Sequence, residues 1–179
     1  MVSCETENRW FAMRATYGRN LMVQRLLDMQ KIESFVPMRK RTVKNGRRIK
    51  TDMVPVVRDL IFVLSERDII QEIKGKIPYL HYITRPIEGR NIPIEVPKEQ
   101  MQQFITVCNE IDEQAELLTE EMINFKVGEQ VRITEGAFKG CEGRLTKIEG
   151  KRAKRFVVAI EGVIAVAISG ITAKNIERI

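Results

Sequence analysis

Apolar residues along this chain follow first one period and then another. The segment RWFAMRA, residues 9–15, has the aromatic and aliphatic composition of a strand. It runs through TYGRN into NLMVQRLLDMQK, residues 20–31, where Met22, Leu26 and Met29 recur at helical spacing with Leu27 beside them. That stripe predicts a helix with its apolar face in the core. Next, ESFVPMRKRTVKNGRRIKTDMVPV contains Asn45-Gly46, the best short hairpin signal in the chain, since both residues accept positive φ. Leu60-Ile61-Phe62-Val63-Leu64 is unbroken apolar sequence and reads as a buried central strand. Ser65 opens SERDIIQEIKG with capping-box spacing to Asp68, Ile69, Ile70 and Ile73 give the helix a face to bury, and Gly75 is placed to end it. Residues 77–96, broken by Pro78, Pro86 and Pro93, read as loop and short strand. Pro97 then starts a third helix striped by Met101, Phe104, Ile105, Cys108 and Ile111.

This order predicts an α+β domain over residues 8–112, with helices packed on an antiparallel-dominated sheet. Residues 110–121, EIDEQAELLTEE, hold six acids and no base, so 113–124 is expected to be an acidic linker. From Phe125 the helical period vanishes and short strands alternate with glycine-containing turns, which predicts a small all-β barrel over 125–179. Within it, VRITEGAFKGCEGRL places Gly136, Gly140 and Gly143 around Phe138. The expected reason is a barrel corner, where glycine dihedrals make room for that ring.

Composition narrows the functions. With 179 residues, 44% hydrophobic and 30% charged, the chain reads as globular. The longest apolar run, residues 156–168, contains Glu161 and falls short of the ~20 residues a membrane helix needs. The first residues show no export signature, and Cys4, Cys108 and Cys141 are scattered and odd in number, so a reducing cytoplasm is expected. No spacing suits a metal, no glycine loop ends in G-K-[ST], and His81 has no nucleophile or paired carboxylate beside it in sequence. A binding protein is expected, neither an enzyme nor a carrier of metal or cofactor.

Charge is unevenly spread. The formal net charge of +6 divides into +8 over residues 1–58, −7 over 59–124 and +5 over 125–179. Seven cations fall within twelve residues of the predicted hairpin: Arg39, Lys40, Arg41, Lys44, Arg47, Arg48 and Lys50. A basic ribbon of this kind suits a phosphate backbone, and the bland reading is a solvated hairpin tip.

The stretch FKVGEQVRITEGAFKGCEGRLTKIE, residues 125–149, resembles the KOW motif, with Val131 and Ile133 in its entry strand and Gly136, Phe138, Lys139, Gly140 and Gly143 in its turn. KOW modules occur in elongation factors of the NusG family and in some ribosomal proteins. RWFAMRATYGRN with its helix, then ESFVPMRKRTVKNGRRIK, then LIFVLS, looks like the NGN domain that opens NusG-type factors. The resemblance spans residues 9–179. It implies an SH3-like KOW barrel after an NGN domain, in a bacterial factor that docks on the clamp of the largest RNA polymerase subunit, bridges the cleft and suppresses pausing. It also implies a KOW domain that recruits partners such as Rho or a small-subunit ribosomal protein.

Where the family usually has F-P-G-Y-V-x-V, this chain reads Val57-Arg58-Asp59-Leu60-Ile61-Phe62-Val63. That departure points to a specialised paralogue of the RfaH/UpxY type, an antiterminator on long operons. By position, the resemblance places Leu60 and Phe62 in the clamp-facing patch, with Tyr79 and Tyr82 in the following loop; ordinary core is the other reading of Leu60 and Phe62. It sets Arg14, Arg19 and Arg25 near the first strand-to-helix turn, facing non-template or upstream DNA, against a solvated helix face. Phe138 and Lys139 sit where the motif's exposed loop meets partners, and barrel packing is the other reading of Phe138. A KOW-containing ribosomal or other RNA-binding protein is the competing class.

Overall fold

The computed structural model describes residues 7–45, 48–109, 115–118, 128–148, 152, 154–168, 171 and 173–179, with side chains 43–45, 48, 115–118 and 173 left aside. Three α-helices and fifteen strands are present among them. The chain divides into two compact units, Met1–Pro37 with Pro55–Lys98, and Met38–Val54 with Glu99–Ile179.

The first unit begins with β1 (Arg9–Ala15), a short 3-10 turn (Thr16–Gly18), α1 (Asn20–Met29) and β2 (Ser34–Phe35). Strands β3 (Met38–Asn45) and β4 (Arg48–Pro55) pair as a separate ribbon, and the turn positions 46 and 47 lie outside the described residues. Then come β5 (Leu60–Ser65), α2 (Arg67–Lys76), β6 (Leu80–Tyr82), β7 (Thr84–Ile87), β8 (Arg90–Pro93) and β9 (Glu95–Val96). The main sheet runs β2-β5-β1-β6, with β9 also on β1, and all its pairings are antiparallel. The apolar run is flanked on both sides, as expected: Leu60 to Val63 are all buried and β5 lies between β1 and β2.

Helix α1 buries a different face from the one its methionines suggest. Asn20, Val23 and Leu27 point inward, whereas Met22 is 44% and Met29 81% exposed. Two apolar stripes share the helix, and buried Asn20 decides between them. Its Nδ2 donates to Val57 O at 3.2 Å and Leu60 O at 3.1 Å, which fixes the rotation of the first turn. The helix ends with Lys31 at φ 58°, where Lys31 N–H donates to Asp28 O and Ile32 N–H to Leu27 O, a Schellman closure. In α2, Ile70 and Ile73 are buried and Ile69 is 39% exposed; Glu66, not Ser65, is the N-cap, and Gly75 lies inside the helix.

The second unit contains the ribbon, nearly all of α3 (Lys98–Asn109), and a six-stranded antiparallel sheet. Its strands are β10 (Ala115–Leu118), β11 (Glu129–Ile133), β12 (Glu142–Lys147), β13 (Lys154–Ile160), β14 (Ile164–Ile168) and β15 (Ile176–Arg178), in the order β10-β14-β13-β12-β11-β15. Residues 115–118, expected as linker, are a strand on β14, from Ala115 opposite Ile168 to Leu118 opposite Ala165. The third helix, expected with the first domain, is tied to this sheet: Gln100 Nε2 donates to Ala159 O at 2.9 Å, and Gln103 Oε1 accepts from Glu142 N–H at 3.2 Å. Strands β13 and β14 are apolar on both faces. Val157, Ala165 and Ala167 cluster with Ile148 on one, and Phe156, Val158, Ile164 and Val166 are buried in alternation with them.

The three glycines that follow β11 divide their work. Gly136 and Gly140 both have φ 86° with open space beyond the Cα, so they serve backbone conformation. The turn closes through Gly140 N–H to Ile133 O and Cys141 N–H to Phe138 O. Gly143 serves close approach instead, because a Cβ there would lie 2.6 Å from Val157 O and 2.7 Å from Phe156 Cζ. The ring that the third glycine accommodates is therefore Phe156 from β13, not Phe138.

Candidate functional site

The turn between β1 and α1 is braced from two directions. Ala15 N–H donates to Asp59 O at 2.8 Å, and Gly18 N–H donates to Asp59 Oδ1 at 2.8 Å. Thr16 N–H donates to Tyr79 O at 3.0 Å. With Asn20 holding Val57 and Leu60, the stretch 57–60 becomes a cradle for the turn. Gly18 has φ 69°, and the Arg58 side chain lies across it, with Nε 3.0 Å from where a Cβ would be. Tyr17 takes φ 64° and ψ 27°, a left-handed conformation unusual for an aromatic residue, with its ring 78% exposed. The Arg19 guanidinium stands 5.4 Å from the Tyr17 ring centroid and 4.6 Å from that of Tyr79, within cation–π range of both. Asn20→Ala takes the side-chain donor from the buried Leu60 carbonyl and leaves Val57 O only the Leu60 N–H at 3.4 Å. We expect a loss of about 1–3 kcal/mol in denaturant unfolding.

The arginines expected at this turn, Arg14, Arg19 and Arg25, are all exposed. Of the expected docking side chains, Leu60 is 3% and Phe62 0% exposed; both are core, and neither offers surface. Tyr79 is half-buried against Arg19. Tyr82 is also half-buried: its ring meets Phe11 at 5.5 Å, and the Lys74 ammonium lies 4.3 Å above it. Burial pushes the Tyr82 phenol above its usual pKa, and its hydroxyl is buried without a hydrogen bond among the described residues. Sequence reasoning missed Tyr17 and Arg58. The signal available was an aromatic residue directly before Gly18, at the end of a strand.

The ribbon presents its charge on both faces. Arg39, Lys40, Arg41 and Lys50 are exposed, and the side chains of Lys44, Arg47 and Arg48 lie outside the described residues. Thr42 and Thr51 hydroxyls meet at 3.3 Å, so alternation sets Lys40 on their face, beside Ile49 and Met53. Arg39, Arg41 and Lys50 share the opposite face, where Lys50 Nζ is 3.1 Å from Asp52. If this face meets phosphates, Arg39→Gln with Arg41→Gln lowers the slope of log K against log salt by about 1.4–1.8, at roughly 0.7–0.9 per contact. Lys40→Gln alone lowers it by less than either arginine; anisotropy titrations with labelled DNA at stepped salt read both.

In the second unit, Val131 and Ile133 are buried, Phe138 is half-buried and Lys139 is exposed on its turn. Arg132 is held by Glu142 Oε1 at 2.6 Å and Glu177 Oε1 at 3.0 Å, so its charge is already matched. Burial pushes the Cys108 thiol up to about 12 and raises that of Cys141. Among the described residues, no three His, Cys, Asp or Glu side chains gather as a metal site, and no helix is long and apolar enough to cross a membrane.

Exposed arginines and an exposed ring on a rigid turn are the makings of a macromolecule-binding surface. Residues 8–105 match the family described as transcription termination factor nusG, 98 of the 179 residues, and the chain belongs to the NusG family. It is thus a transcription factor of the elongation and termination class, in a family that binds RNA polymerase. No curated protein matches it. Among solved structures, one titled "Domain interaction in Thermotoga maritima NusG" is similar at 17% identity and TM-score 0.46, over 97% of this chain and 98% of that one.

Proposed function

We propose that this chain is an antitermination factor that rides on RNA polymerase, suppresses pausing or termination, and acts on particular long operons as a specialised paralogue of the RfaH/UpxY type. The family match over residues 8–105 carries the reading. In it, residues from 125 onward act as a KOW domain that recruits a further partner, Rho or a small-subunit ribosomal protein, through the Phe138–Lys139 turn. The departure at Val57–Val63 supports the specialised branch; in this chain Val57, Asp59 and Leu60 brace the β1–α1 turn. Arg14, Arg19 and Arg25 face the unpaired non-template strand, and the ribbon meets upstream duplex. Since Leu60 and Phe62 are interior, the clamp contact falls to exposed residues such as Met22 and Met29. The test is in vitro transcription through a pause site and a terminator. Added protein shortens the pause and raises readthrough; unchanged kinetics at saturating protein would reject the proposal.

A further inference from the structure

The hairpin of β7 and β8 is a two-stranded sheet of its own, and its base is tied to β1. Ile83 N–H donates to Ala12 O at 2.9 Å, Ala12 N–H to Ile94 O at 3.1 Å, and Ile94 N–H to Ile83 O at 2.9 Å. The tip turns at Glu88 and Gly89, with φ 49° and 76°, the two positive values that a two-residue hairpin turn needs. Arg85 lies opposite Ile92 and Ile87 opposite Arg90, so these four side chains share one face. Alternation continues that face into Ile83, half-buried, and Ile94, which is 4% exposed. Ile92 and Ile87 carry the apolar stripe outward, at 38% and 42% exposed. Thr84, Pro86, Asn91 and Pro93 take the opposite face. Arg85 and Arg90 are exposed and in no ion pair among the described residues; Glu88, the one acid of the hairpin, pairs with neither.

An exposed apolar stripe bordered by charge marks a contact surface. Its edges are the wrong place for the contact. Residues 87 and 90 close the turn, so 84, 86, 91 and 93 direct their backbone groups outward. Pro86 and Pro93 remove one donor from each edge, which opposes addition of a further strand. The contact is therefore made by the face. A phosphate backbone would take the arginines and leave the isoleucines wet, and the side chains suited to base edges, Thr84 and Asn91, stand on the opposite side. Both cations are arginine, which is enriched in protein interfaces where lysine is depleted. We infer that this face docks an acidic amphipathic segment of a partner protein, its apolar side chains on Ile87 and Ile92 and its carboxylates on Arg85 and Arg90. The two arginines stand about 7–8 Å apart on one diagonal of the ladder. Carboxylates four residues apart on a helix, at about 5–6 Å, fall within their span.

The test uses the full chain and fluorescein-labelled peptides of about 18 residues, long enough to form a helix. The first carries glutamate and leucine at helical spacing; the second has alanine for leucine, the third lysine for glutamate. Ile87→Thr with Ile92→Thr keeps β-branched side chains while removing the apolar stripe, and an unchanged melting temperature shows that the fold is kept. Arg85→Gln with Arg90→Gln leaves the isoleucines in place. Anisotropy titration is expected to show binding of the first peptide, about tenfold weaker in the threonine pair. In the glutamine pair binding is weaker and loses its salt dependence. The second and third peptides bind the wild-type chain at least about tenfold more weakly than the first. No binding of the first peptide, equal affinity of wild type and threonine pair, or equal binding of the second peptide would overturn the docking face. Displacement of the peptide by an oligonucleotide would make nucleic acid the occupant, and a wild-type dimer in sedimentation that the threonine pair dissolves would make it a second copy; either result rejects the partner inferred. Polymerase is absent from every arm, so failure here leaves the reading of a polymerase-bound factor untouched.

Discussion

Truncating Phe62 to alanine lowers the stability of the chain by about 3–5 kcal/mol, the cost of emptying a fully buried aromatic site. Phe62 is 0% exposed on β5, opposite Ala12 on β1 and Phe35 on β2. Small neighbours such as Ala12 cannot expand to fill the gap. In a chain of this length the melting temperature drops by roughly 10 °C. A side chain that touched polymerase directly would behave otherwise: its removal would weaken binding and leave melting nearly unchanged. Calorimetry beside a polymerase-binding titration separates the two readings.

Gly143→Ala is the second large effect. Gly143 lies within β12, opposite Val131 of β11, and its Cα faces the Phe156 ring and Val157 O of β13. At 2.6 Å, an added methyl would collide with a backbone oxygen that cannot retreat without opening the β12–β13 ladder. Overpacking of this kind costs about 3 kcal/mol, at the upper end of its range. Gly136→Ala meets open space and pays only for its positive φ, about 1 kcal/mol. Urea unfolding of both variants should therefore rank Gly143→Ala well below Gly136→Ala.

The local features of this fold were legible in the sequence. The unbroken run at 60–64 became a flanked central strand, the basic hairpin formed, and the strands after residue 128 appeared. What escaped depended on contacts between distant segments. Two apolar stripes on α1 have the same period, and only the hydrogen bonds of Asn20 to residues 57 and 60 choose between them. Ala115-Glu116-Leu117-Leu118 is too short to show a period, its residues favour helix over strand, and its partner β14 lies some fifty residues away. Phe138 is the ring closest to Gly143 in sequence, whereas Phe156, the ring that meets it, arrives from another strand. At the candidate site the arginines were visible as charge. Tyr17 was not, because its exposure comes from backbone conformation and not from any period.

The central claim is that this chain grips RNA polymerase. Sedimentation of the full chain with core polymerase at low salt tests it most directly. Co-migration at a saturable, near one-to-one ratio is the predicted result; free protein at every polymerase concentration would contradict the account.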